Sequence, residues 1–530
     1  MPLFYTNALD EEPVYERCES FGGGMDSYQR STLLPPDAFQ YGENTVVPDN
    51  FEVRTRAGAD VIGSARAAKI QGIQYFDTPS YEQLIVGTNA TMQHWNGSAW
   101  TTMTGWTPTD ADRRLAMAQG VGKVLITDGG VLGGTTGGFA MWDGASFTLF
   151  SNTNTDPPER ATILLWHAGR MWAAGFDGSA TGKEDDAIWA SALLAFGGGD
   201  WNGVDRSFRV GGGEGDPITA LASMQDFTMA VCKQNSIHLI RTDPTNVPVT
   251  YSDNVPNEVV SYGVGCVGKR ALCNYGNDLL FVSPDKSIRS LQRMQAAATQ
   301  YQLSAPISLP IQPYIDRINW DYAHLIAAVK YRELALFSVP LDASTVPNYV
   351  FAWNGRLQRW VGIWSGWTPN CWEVSRFAGV QRLNHGDNAG NVRRWKDTSD
   401  ATDSATYLDD AVAIPTKLWT RAFLFGEPLN DKDAYHCEVR FSQSSAVVTI
   451  TLIGDNSTLK TWTADIRPNL PTLPIQLPFN LVNPTNTAAR KGTRGLAPFN
   501  ECYLKIESTE GWFSLRNVSL SAFINTLASR

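Results

Sequence analysis

The sequence predicts an all-β protein: an irregular β-propeller of about seven blades, with an extended N-terminal arm and a C-terminal β-sandwich domain. Three observations predict it. Glycine contributes 46 of 530 residues and aromatic side chains 11%, the composition of short strands joined by tight turns. A hairpin signature recurs, in which Trp is followed by Asn-Gly or Asp-Gly and then by an aromatic residue. Finally, groups of about four strand-like runs start near residues 70, 113, 161, 217, 266, 322 and 372, a spacing of 43 to 56 residues, and that period is the mark of propeller blades. Seven is the count, with six or eight left open. A series of sandwich modules is the rival architecture, and it would show longer strands and clearer breaks in composition.

Residues 1–68 show little periodicity and are rich in Gly, Pro, Asp and Asn, as in Leu34-Pro35-Pro36-Asp37. They are expected to form an extended arm with one or two strands, such as Phe51 to Arg56, lying on something else because the arm has no core of its own.

Residues 69–410 are assigned to the propeller. The signature occurs as Trp95-Asn96-Gly97-Ser98-Ala99-Trp100, as Trp142-Asp143-Gly144-Ala145-Ser146-Phe147, and in a longer version from Trp353-Asn354-Gly355 to Trp360. Asn-Gly and Asp-Gly supply positive φ angles for a tight turn, and the flanking aromatics then pack across the hairpin. Between these hairpins lie other paired runs. Thr228–Cys232 is expected to pair with Ser236–Ile240, Leu279–Val282 with Ile288–Leu291, Leu334–Phe337 with Tyr349–Ala352, and Val380–Leu383 with Val392–Trp395.

The polar, acidic stretch 398–413 is expected to be a linker or an exposed blade edge. Residues 411–530 are assigned to the sandwich, with alternating strands at Trp419–Phe425, Cys437–Phe441, Val447–Ile453, Thr458–Trp462, Ile475–Leu481, Cys502–Ile506 and Trp512–Ile524.

Charge and cysteine usage narrow the function classes. With 43 Lys+Arg against 53 Asp+Glu the net charge is −10, which argues against a generic DNA- or anionic-membrane-binding surface. The seven cysteines are an odd number, widely spread and without a C-x-x-C pair, so reduced core thiols are expected rather than a disulfide framework. The first residues carry no signal-peptide pattern, and no apolar run is long enough to span a membrane.

Chemical motifs are weak. None of His94, His167, His238, His324, His385 and His436 has metal-ligand spacing; packed or surface strand histidines are expected. The Gly129–Gly138 segment leads into a strand rather than a helix N-terminus, so it is expected to be a loop and not a phosphate cradle. Asp387-Asn388-Ala389-Gly390-Asn391 lacks the twelfth-position Glu of a Ca²⁺ loop and is read as a turn. Glu184, Asp185 and Asp186 are read as a solvated acidic loop. The arginines Arg113, Arg114, Arg160, Arg206, Arg209 and Arg241 allow no assigned triad of the sialidase kind. No catalytic residue, cofactor or metal is assigned.

Several segments resemble a known family. Phe39-Gln40-Tyr41-Gly42-Glu43-Asn44 followed by Phe51-Glu52-Val53-Arg54-Thr55-Arg56-Ala57-Gly58 is similar to the opening of the tail nozzle (hub, or tubular tail) proteins of short-tailed bacteriophages. The Trp-Asp/Asn-Gly hairpins, the Gly386–Val392 turn, and Thr420 to Gly426 with Lys432 are similar too. The resemblance implies a structural virion protein made in the host bacterial cytoplasm and assembled into the tail. Six copies would form a ring below the portal and its adaptor, with tail fibres or tail spikes as further partners. Double-stranded DNA would pass through the central channel, for retention and ejection, without specific binding or membrane insertion.

An acidic channel wall would suit such passage. The loops Gly178 to Asp186 (with Glu184 and Asp185) and Gly197 to Trp201 (with Asp200) are the candidate contact or gate segments. The alternatives are a virion adhesin or carbohydrate-binding propeller, which predicts exposed Trp201 and Trp367, and a glycan hydrolase.

Overall fold

A computed structural model describes residues 12–109, 113–132, 134–151, 153, 155–176, 184–201, 207–212, 215–225, 227–242, 257–298, 304–396, 404–426, 430–442, 444–467, 487–493 and 496–524. The protein is all-β, with many small sheets. The chain divides into two compact units. One joins Met1–Ala59, Ala352–Ser365 and Lys396–Arg530; the other holds Asp60–Phe351 and Gly366–Trp395. The expected strand Ile475–Leu481 and the first part of the acidic stretch lie outside the described residues.

The larger unit is a succession of antiparallel meanders. The first consists of Gly72–Asp77, Glu82–Gly87, Met92–Trp95 and Trp100–Met103, and the second of Ala116–Gly120, Lys123–Thr127, Phe139–Trp142 and Phe147–Leu149. The third and fourth run from Ile163 to Arg209 and from Ile218 to Tyr262. The fifth has three strands, Leu272–Tyr275, Asp278–Ser283 and Ser287–Ser290. The sixth begins with Ala327–Tyr331 and Leu334–Val339. The seventh comprises Pro369–Phe377, Val380–Asp387 and Val392–Trp395, and the strand Ala59–Val61 from near the start of the chain completes it. The first strand of each group packs beside the first strand of the next, and that of the seventh returns to that of the first.

Packing explains the sequence pattern. Several second strands have a continuous apolar run rather than an alternation: Leu84, Ile85 and Val86 are all buried, as are Met229, Ala230, Val231 and Cys232, whereas Val380–Asp387 is mostly polar. The sheets of the first, second and third groups have an apolar neighbour on both faces, so both faces exclude water. One core holds Phe76, Ile85, Val124 and Ile126 from the first and second groups; another holds Leu125, Met171 and Trp201 from the second and third. Ile73 and Leu84 pack with Cys371 and Val392 of the seventh.

The hairpins form with one difference. Trp95 pairs with Trp100 and Trp142 with Phe147, with ring centroids 5.3 and 4.8 Å apart. In the first two copies only the glycines take positive φ, 99° at Gly97 and 106° at Gly144; in the third it is Gln358, at 54°, and not Gly355. The preceding Asn96 and Asp143 instead use their side chains. Asn96 Oδ1 accepts the N–H groups of Ser98 and Ala99, and Asp143 Oδ1 those of Ala145 and Ser146 at 2.8 and 2.7 Å. The loops are therefore Asx turns of four residues, not two-residue primed turns.

Among the described residues the smaller unit contains two large sheets with alternating burial and a two-stranded ribbon of Leu408–Asp409 and Val412–Ala413. In Ser445–Gly454 the residues Ala446, Val448, Ile450 and Leu452 point inward, and in Cys502–Trp512 so do Cys502, Leu504 and Ile506. One sheet runs Arg359–Trp364, Ala38–Glu43, Thr416–Thr420, Cys502–Trp512, Ser445–Gly454, Ser457–Asp465; the other is built on Lys432–Phe441 and Ser514–Ile524.

The segment expected as an extended arm contributes Val14–Cys18, Gly24–Met25, Ala38–Glu43, Thr45–Val46 and Val53–Thr55 to these sheets. Runs that short carry no readable period; pairing with distant strands defines them. The stretch after residue 403 is likewise not a plain linker. Tyr407 is fully buried and stacks on Trp512 at 4.2 Å.

Arg56, 1% exposed, binds the three segments of this unit together. It donates to Asn44 Oδ1 at 2.9 Å, to the Ser365 carbonyl at 2.9 Å and to Asp409 at 2.7 Å. Gly58 lies so close to the Leu408 carbonyl that a Cβ would sit 1.9 Å from its oxygen.

All seven cysteines are buried free thiols. A helix at Leu291–Ala298 replaces the last residue of an expected strand, capped where Ser290 Oγ accepts the Arg293 N–H at 3.1 Å. No helix among the described residues is long and apolar enough to cross a membrane.

Candidate functional site

Of the loop residues singled out from the sequence, Gly178 lies outside the described residues. Glu184 is exposed, and its carbonyl accepts the Ala187 N–H. Asp186 is not solvated. It is 1% exposed and holds Arg209 in a two-pronged pair at 2.7 and 2.8 Å, while the Asp185 carbonyl accepts the Ile218 N–H. Asp200 Oδ2 accepts the Gly197 N–H at 2.6 Å and fixes its own turn.

Trp201 is fully buried, packed with Phe150, Met171, Phe176 and Phe196, and its indole donates to the Phe196 carbonyl at 3.2 Å. Trp367, 1% exposed, lies among Trp372, His385 and Trp395. The expectation of exposed indoles at these two positions is therefore corrected. A large apolar ring gains more from close packing than from water, and neither indole presents a face to a glycan.

The glycine loop is occupied by its own chain. Asp128, 1% exposed, accepts the N–H groups of Gly130 at 2.9 Å and Gly138 at 2.7 Å. A protein carboxylate thus takes the donors that a phosphate would need. The turn after Val380–Asp387 behaves alike: Asp387 accepts N–H groups from Ala389 and Asn391 and faces Arg393 at 3.4 Å. Among the described residues, no three His, Cys, Asp or Glu side chains gather as a metal site.

A different cluster emerges at the starts of the first strands. Arg113 and Arg114 precede Ala116–Gly120, and Lys269 and Arg270 precede Leu272–Tyr275. Arg270 donates to the carbonyls of Gln71 and Leu115 at 2.8 and 2.7 Å. Lys269 Nζ donates to those of Arg114 and Thr162 at 2.8 and 2.9 Å. Arg114 reaches the carbonyls of Leu325 and Ile326, and Arg113 that of Gly129.

Gln71, Leu115, Thr162 and Ile326 each immediately precede a first strand, so the carbonyls share one end of the strand groups. Carbonyl dipoles, not carboxylates, compensate Arg114, Lys269 and Arg270 among the described residues. Burial, with added repulsion from Arg270, pushes Arg114 down to about 9. Burial and the neighbouring Arg270, Arg114 and Arg113 push Lys269 well below its ordinary value.

A cleft of about 380 Å³ opens beside this cluster, lined among others by Lys69, Arg114, His324, Thr345, Asn370 and Asn388. No lining residue is acidic. Burial and the nearby Arg114 lower the His324 imidazole, favouring its neutral form. Asn370 Nδ2 donates to Asn388 Oδ1 at 2.6 Å, and the buried Nδ2 of Asn388 has no hydrogen-bond partner. The walls thus offer positive charge and no carboxylate.

The sequence had set Arg113 and Arg114 among scattered arginines; Lys269 and Arg270 escaped it. Paired basic residues just ahead of two strand-group starts were the available signal. Arg209 belongs to Asp186 instead, and Arg206 lies outside the described residues. No protein-family model and no curated protein sequence matches this chain.

Proposed function

We propose that this chain is a structural protein of the tail of a short-tailed bacteriophage, the nozzle below portal and adaptor, built from a seven-bladed β-propeller and a β-sandwich. The observation that carries the reading is the cycle of seven strand groups in which first strand packs on first strand and the seventh meets the first. Its last group is completed by Ala59–Val61 from the other end of the unit, which ties the two ends of a ring by hydrogen bonds. The two large sheets of the smaller unit, each with alternating burial, support the sandwich. The resemblance of residues 39–58 and of the hairpins supplies the family.

In this reading six copies surround a DNA-sized channel, contact the portal adaptor and carry tail fibres or spikes. The chain acts as a scaffold and not as an enzyme. The net charge of −10 favours a channel wall that does not grip phosphates, and a wall dense in Lys and Arg would sink that part. Cryo-electron microscopy of the parent particle tests the whole. A sixfold ring of this chain around a DNA-sized channel is the expected result. Single or trimeric copies projecting from the shell would instead favour an adhesin.

A further inference from the structure

We propose that the cleft lined by Lys69, Arg114, His324, Thr345, Asn370 and Asn388 is a binding site for a small oxyanion, a phosphate, sulfate or carboxylate group carried on a compact polar body. Charge is the first argument. Arg114 forms part of the wall, and Lys269 and Arg270 lie in the same carbonyl-bound cluster. Carbonyl oxygens orient these cations, but each carries only a partial negative charge. No carboxylate pairs with Arg114, Lys269 or Arg270 among the described residues, and a buried cation without a full counter-charge is costly. An anion in the cleft supplies that charge, and charge-assisted bonds to guanidinium are the strong kind.

The wall chemistry is the second argument. The lining carries no acidic side chain to repel an anion. Two carboxylates adjoin lining residues in sequence: Asp387 is engaged by backbone N–H groups and by Arg393, and Asp321, beside Tyr322, is exposed and not part of the lining. The buried Asn388 Nδ2 is a donor with no partner, although its Oδ1 is held by Asn370 at 2.6 Å. That Nδ2 atom is closed off from solvent, so the Asn388 side chain must turn toward the cleft before a ligand oxygen can satisfy it. The cleft's size, about 380 Å³, suits a phosphate ester or a sugar acid rather than a polymer. This inference is independent of the tail reading, and either can fail alone.

The test is a thermal-shift and calorimetric titration of the full chain with inorganic phosphate, sulfate and glucuronate, each at constant ionic strength. Saturable binding of at least one is expected. The preferred anion separates a phosphate or sulfate ester from a sugar acid as the natural source. Thr345→Glu places a carboxylate on an exposed position of the wall, where it leaves the core untouched; it should weaken binding about tenfold or more. Arg114→Met should do the same where it folds. A shift that does not saturate, or one that Thr345→Glu leaves at wild-type strength, overturns the proposal.

Discussion

Arg56 shows how one side chain can define a unit. Its guanidinium joins Asn44, Ser365 and Asp409, from three separate stretches of the smaller unit. Arg56→Met leaves Asp409 without this partner and should cost about 3–5 kcal/mol, measured by denaturant unfolding. Gly58→Ala should be of similar severity, because its Cβ would collide with backbone.

Glu373 gives a pH signature. Burial raises its carboxyl from 4.5 to about 8, so the folded chain keeps a proton that the unfolded chain has released. Stability should therefore fall as pH rises from about 4.5 to about 8 and level off above. Glu373→Gln should remove that slope in unfolding experiments across this range. The cysteines make a further expectation. Burial pushes the Cys18, Cys266 and Cys273 thiols up to about 12. An aromatic disulfide reagent should label no cysteine rapidly in the native protein and all seven after denaturation. Their burial was readable from the absence of pairing motifs; the Arg56 network was not, because its partners lie hundreds of residues apart.

The hairpin is the element the sequence announces best. Aromatic, Asn or Asp, then Gly are all local instructions, and strands formed on either side of each copy. What the motif left open was the turn type, which Asn96 and Asp143 decide by accepting backbone N–H groups. Those N–H groups, Ser146's foremost, hold the Asp143 carboxyl below its ordinary value. Its contribution is present above the unfolded value and is lost as pH falls through the folded one. Asp143→Ala should cost about 1 kcal/mol at neutral pH and should lose that acid dependence, as followed by thermal unfolding at several pH values. The Leu291–Ala298 helix was missed because its apolar start continues a strand pattern. The alanines that follow and the Ser290 cap decide the matter.

For the whole molecule, the interleaving of chain ends has a direct consequence. Val14–Cys18 pairs with Ser514–Ile524, and Ala38–Glu43 with Thr416–Thr420. A detachable arm would leave the rest intact when removed. Here, deletion of residues 1–58 should instead unfold the C-terminal strands, seen as lost β-sheet circular dichroism and rapid proteolysis after residue 411. Deletion from residue 411 onward should expose the N-terminal strands in the same way.

By itself the sequence determined the all-β class, the hairpin positions and the buried thiols, while leaving the number of strand groups open. Each of these is written locally, in turn residues, strand length or the presence of apolar runs. Only the tertiary structure decided that Val14–Cys18, Ala38–Glu43 and Val53–Thr55 share sheets with strands between Thr416 and Ile524. It also decided that Trp201 and Trp367 are core, and that Arg114, Lys269 and Arg270 share backbone carbonyls at one end of the strand groups. Those outcomes depend on which distant segments meet, and a one-dimensional pattern of strands does not carry that information.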